Sequence, residues 1–229
     1  MQQAYQALRV ISEAQTVHIV LAARPAELML TELSASCASL STGSGEGIKA
    51  VILDFTGQES ASIASLPAAA PLLAQTCEAV RAIPQPVLAV VRASLSELAC
   101  QLLAEADFTL VAHEAELCLP ASPGELQLSE DNKIGGPGAA RRGYATWIAP
   151  AGDLNREMER ILTLLRTKSA LALRNARAAV RLAQQETASP LEALSRVNAF
   201  YLEKVMTTED AREGLRALQE KRQPRWKNR

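Results

Sequence analysis

Aromatic side chains are scarce here: Phe, Tyr and Trp make up 3% of 229 residues. A base-stacking surface needs several such rings, so nucleic acid is not an expected partner. There are two histidines, His18 and His113. The four cysteines, Cys37, Cys77, Cys100 and Cys118, show no C-x-x-C spacing. No metal site is expected from so few ligands, and the cysteines read as packed free thiols. No apolar run reaches the about 18 residues of a membrane span. The N-terminal MQQAYQALRV lacks the basic and apolar regions of a signal peptide. An excess of charge of one sign is absent too: 24 Lys and Arg face 25 Asp and Glu. That balance argues against a general polyanion or membrane surface as partner. A cytoplasmic protein is expected.

What is present is a large apolar fraction, 48%, enough for one real core. VHIVLAA (17–23) reads as a strand ended by Arg24-Pro25. Residues 26–42 have helical spacing, and IKAVILDF (48–55) is a near-continuous apolar run suited to a strand buried on both faces. A helix over 67–82 turns Leu72, Leu73, Cys77, Val80 and Ile83 inward. PQPVLAVV is the next strand, and Ser96 is placed to cap a helix over 97–105. FTLVA (108–112) and AELCL read as strands. Residues 121–143 carry four glycines and two prolines between 123 and 138 and read as a loop. Two long helices are expected over 153–186 and 190–206, then a third over 207–222 with Thr208 as its cap. The pattern predicts an α/β unit over 1–150 and a helical module over 151–229. GGPG (135–138) lacks the G-K-[ST] of a phosphate loop and follows no expected strand.

The turn between PVLAVVR and ADFTLVA, residues 93–105, contains no glycine. That matters because the surrounding segments resemble the crotonase (enoyl-CoA hydratase/isomerase) superfamily, which is glycine-rich there. TTEDAREGLRALQEKRQPRWKNR is similar to that family's closing T-x-D-x-x-E-G helix and E-K-R-x-P-x-W tail. KSALALRNARAAVRLA resembles its preceding helix. IPQPVLAVVR and AEADFTLVAHEAEL resemble the strands flanking the glycine turn. Within the superfamily, the middle and the ending look most like hydratases of cyclic dienoyl-CoA. The resemblance implies a ββα spiral core with C-terminal helices that pack between subunits, as a trimer or hexamer. It also implies a coenzyme A thioester as ligand or substrate, with no other cofactor. Two backbone N–H groups would hold the thioester oxygen, and two glutamates would act as general acid and base.

Carried over by position, the first N–H donor falls on Ala64, with Ile63 and Ser65 where the family has glycine and aspartate. The second falls on Leu98 of Glu97-Leu98-Ala99, which replaces three glycines. Leucine keeps the N–H but adds four carbons. The first glutamate position is Gln101, which cannot exchange a proton near neutral pH. The second glutamate belongs to Q-P-E, which is here Leu119-Pro120-Ala121. The resemblance assigns CoA contacts to Ser62, Ala64, Leu66 and Lys221. About one helix is missing after residue 122.

With no confident catalytic residue, the expected activity is weak or absent standard hydration. An altered enzyme (a dienoyl-CoA hydratase, isomerase or thioester hydrolase) could instead use Glu97, Glu59, Asp131 or Cys100. A third reading is a hetero-oligomer in which the chain is a non-catalytic partner of an active paralogue, with Trp226 as an interface anchor.

Overall fold

The computed structural model describes residues 5–13, 15–21, 26–42, 47–56, 69–119, 132–184 and 189–228. Six strands form one sheet in the order β1-β2-β3-β4-β5-β8. They are β1 (Leu8–Glu13), β2 (Thr16–Leu21), β3 (Ala50–Phe55), β4 (Val87–Val91), β5 (Phe108–Ala112) and β8 (Trp147–Ala149). β1 runs antiparallel to β2, and every other neighbouring pair is parallel. Helices α1 (Ala26–Thr42), α2 (Ala69–Ala82) and α3 (Glu97–Leu103) make the crossovers between successive parallel strands. β3 and β4 are buried at every position, as their unbroken apolar runs require of central strands. Val17, Ile19, Leu21 and Phe55 bury alternate positions in one continuous core that also holds Leu30, Leu33, Val80 and Ile83.

A second, two-stranded sheet pairs β6 (Glu116–Cys118) with β7 (Lys133–Gly135). It joins the turn after β4 through Leu95: the Leu95 N–H donates to Glu116 O at 2.8 Å, and Cys118 N–H to Leu95 O at 3.1 Å. β7 runs straight into α4 (Gly136–Arg141). Residues 121–143 were expected as a loop, so β7 and α4 are corrections. Their cause is tertiary. Gly136 N–H donates to Ala115 O at 3.0 Å, and a Cβ there would lie 2.6 Å from Ala112 O. Only glycine permits that approach.

The expected helix over 153–186 is two helices, α5 (Leu154–Arg166) and α6 (Ala170–Gln184). Ser169 breaks it, its Oγ accepting from Ala172 N–H at 3.1 Å as an N-cap does. Lys49, which is buried, places Nζ 2.5 Å from Arg166 O, a cation at the C-terminus of α5. α7 (Pro190–Phe200) continues as one π-helical turn over Tyr201–Val205, and α8 (Glu209–Gln219) follows.

The closing motif has a physical role at each position. Thr208 caps α8, its Oγ1 accepting from Ala211 N–H at 3.1 Å. Asp210 is buried and accepts from Ser169 Oγ, Lys227 N–H and Asn228 N–H. Glu213 pairs with Arg222 and accepts from Arg225 N–H at 2.8 Å. Gly214 lies against the Trp226 ring, where a Cβ would sit 3.5 Å from the indole. Trp226 Nε1 donates to Thr167 O at 2.7 Å. The indole therefore ties the tail to its own chain.

Candidate functional site

The centre of interest is the segment from β4 into α3. Ser96 caps α3, with φ −70° and ψ 165°, and its Oγ accepts from Ala99 N–H at 3.4 Å. Left-handed backbone at non-glycine positions occurs, among the described residues, at Gln15, Lys221 and Asn228. The glycine-free turn therefore needs no glycine dihedral.

Leu98 is the second residue of α3, and an N–H there has no intrahelical acceptor. Its side chain is 7% exposed and belongs to the main core. The four carbons are thus packed into protein. Gln101, one turn further along, is half-buried and lines a cavity of about 520 Å³. Leu119 lines the same cavity, held by its N–H donating to Asn132 O at 2.9 Å. Two positions far apart in sequence, Gln101 and the first residue of Leu119-Pro120-Ala121, therefore meet on one cavity wall. Cys100, Tyr144 and Thr146 complete the part that bears on chemistry.

Among the described residues that line this wall, no acid is free. Glu105 is held by Arg81 through Nε at 2.9 Å and Nη2 at 2.5 Å. Asp107 accepts from Val87 N–H at 2.7 Å and pairs with Arg177 Nε at 2.7 Å. Glu97 is exposed in the first turn of α3, where an acid suits the helix dipole. Cys100 is 6% exposed, and burial pushes its thiol up to about 12. It is a protonated thiol at neutral pH and a poor nucleophile. Ser62, Ile63, Ala64, Ser65, Leu66, Glu59, Ala121 and Asp131 lie outside the described residues. Lys221 is exposed just past α8 with φ +51°, the left-handed position where helices favour glycine.

One polar cluster escaped the sequence reading. His18 of β2, Asp54 of β3 and Arg92 just after β4 converge on one sheet face. His18 Nε2 lies 3.0 Å from Asp54 Oδ2, and Arg92 donates from Nε and Nη2 to Asp54 at 2.7 and 2.8 Å. Burial alone would raise the Asp54 carboxyl; hydrogen bonds from His18 and Arg92 outweigh it and hold the pKa below its usual value. The signal was available: His18 and Asp54 interrupt apolar strands, and Arg92 ends one. Among the described residues, no group of three or more His, Cys, Asp or Glu side chains is gathered as for a metal ion. No helix among them is long and apolar enough to cross a membrane.

No family model matches the chain, and no curated protein matches it. Solved structures do. An enoyl-CoA hydratase from Bacillus anthracis aligns with a TM-score of 0.76 at 21% identity, over 98% of this chain and 100% of that one. An enoyl-CoA hydratase/isomerase from Mycobacterium paratuberculosis gives 0.79 at 20%, over 99% and 100%. A Geobacillus kaustophilus enoyl-CoA hydratase gives 0.82 at 20%, over 99% and 98%. The chain has the crotonase fold, matched along nearly its whole length.

Proposed function

We propose that the chain is an acyl-CoA-binding protein of the enoyl-CoA hydratase/isomerase type with weak or no standard hydratase activity. One observation carries this reading. The cavity wall that should present an acid and a base presents Gln101, and its carboxylates, Glu105 and Asp107, are tied to Arg81 and Arg177. General acid–base groups contribute about 10²–10⁴ each in rate. A neutral amide and two engaged carboxylates leave hydration without its proton transfers. The N–H of Leu98 remains at a helix start and supports a role as the second thioester-oxygen donor, with Ala64 as the first. Ser62, Ala64 and Leu66 are proposed to face the adenine, and Lys221 the phosphates. A cyclic dienoyl-CoA is the finer ligand assignment.

Assembly is part of the proposal. Leu191, Leu194, Leu202 and Leu218 are 56–76% exposed on the C-terminal helices. Such apolar side chains support a homo-oligomer, a trimer or hexamer, or a hetero-oligomer with an active paralogue. Calorimetric titration with CoA and crotonyl-CoA tests the binding half. Saturable binding that weakens at least tenfold in Lys221→Ala is expected. Absence of binding by either ligand would remove the acyl-CoA reading and leave the assembly role.

A further inference from the structure

A second cavity, of about 770 Å³, lies between the α3–β5 turn and α6. It is lined by Pro86 and Phe108, at the starts of β4 and β5. It therefore sits at the opposite end of these strands from the N-terminus of α3. Its apolar side is Phe108, Leu173 and Val180. Its charged side sets three guanidiniums, Arg81, Arg177 and Arg181, against two carboxylates, Glu105 and Asp107.

The pairing leaves a surplus cation. Arg81 is matched to Glu105 and Arg177 to Asp107. Among the described residues, Arg181, one turn beyond Arg177, has no ion pair, and its buried Nε has no hydrogen-bond partner. Arg177, 4% exposed, likewise has Nη1 buried without an acceptor, while its Nη2 reaches Val80 O at 3.3 Å. Buried donors without acceptors are costly, and an arriving anion relieves that cost. Burial also pulls the Arg177 pKa down, with Arg181 opposing its charge and Asp107 supporting it. One more negative group would favour both guanidiniums. Arg181 is half-buried on the cavity wall, so an entering anion meets it first.

We propose that this cleft binds a small amphipathic carboxylate, its head on the Arg181–Arg177 pair and its apolar chain along Phe108, Leu173 and Val180. Planar guanidinium forks suit a carboxylate head, and the apolar wall selects against bare inorganic anions. The cleft shares the wall Ala104–Asp107 with the Gln101 cavity, but the residues proposed to hold the ligand, Arg177, Arg181, Phe108, Leu173 and Val180, line this cleft and not that cavity.

Calorimetric titration of the full chain with hexanoate, hexan-1-ol and inorganic phosphate tests this. Hexanoate should bind at one per chain. Hexan-1-ol and phosphate should each bind at least tenfold more weakly. Arg181→Gln should weaken hexanoate at least tenfold without lowering the thermal midpoint of the free protein. Val180→Asp, at a position 52% exposed and so safe for folding, should weaken it as well. Saturating CoA should leave hexanoate affinity unchanged. The proposal is overturned by no hexanoate binding, by equal affinity in both variants, by phosphate binding as tightly, or by competition with CoA.

Discussion

Gln101 and Asp54 are opposite cases of a polar side chain set against an apolar scaffold. Gln101 stands on a cavity wall as a neutral amide, so it can orient a ligand but not titrate with it. Asp54 is charged, buried and matched on both oxygens by Arg92 and His18. Removing one member of such a pair costs roughly 3–5 kcal/mol, because the partner's charge is left uncompensated. Asp54→Ala is expected to lower stability on that scale by chemical denaturation. The pH dependence has a fixed sign. The carboxyl pKa is lowered in the folded protein, so its contribution is fully present above the unfolded value of 3.8. It is lost as pH falls through the lower folded value. The stability gap between wild type and Asp54→Asn should thus shrink on acidification below pH 3.8, and a gap that holds steady would contradict the pairing. The sequence reading passed over this cluster, although His18 and Asp54 interrupt apolar strands and Arg92 ends one. Its convergence was not legible, because strand order decides which of these positions meet.

At the scale of elements, the helices and central strands were read from periodicity and continuous burial, while β1, β7, α4 and β8 were not. β8 and β7 have three residues each, too short for a period to show. α4 consists of Gly136-Pro137-Gly138-Ala139-Ala140-Arg141, a poor helix by propensity, and it forms where Gly136 meets the backbone of Ala112 and His113. The α5–α6 break at Ser169 was hidden by apolar spacing on both sides. The end of α8 offers the sharpest element-scale prediction. Lys221 holds a left-handed backbone that glycine adopts at no steric cost. Lys221→Gly should raise stability by about 0.5–1 kcal/mol in denaturant titrations if helix capping is all that matters there. It should at the same time weaken CoA binding at least tenfold. Gained stability with unchanged CoA affinity would strip Lys221 of its proposed ligand.

For the whole molecule, the C-terminal helices are bound to the rest of the fold by buried charges as well as by apolar packing. Arg177 reaches from α6 to Asp107 and Val80, and Lys49 to the end of α5. The same helices leave Leu164, Leu191, Leu194, Leu202, Leu215 and Leu218 exposed. Light scattering of the purified chain is expected to give the mass of three or six copies; a monomer at micromolar concentration would count against self-assembly. The fold was legible because its strongest signals, the closing helix motif and the strand pair around the α3 turn, serve structural purposes that this chain retains. The site was legible only as substitutions, because the meaning of Gln101 depends on which other acids share its cavity.

The central claim is that a thioester is held without being hydrated. The measurement that tests it most directly is proton NMR of crotonyl-CoA in deuterated water with an equimolar amount of the protein. Broadened ligand signals, with no 3-hydroxyacyl product and no deuterium entering the acyl chain beyond the protein-free control, are predicted. Accumulation of deuterated 3-hydroxyacyl-CoA above that control would contradict the account.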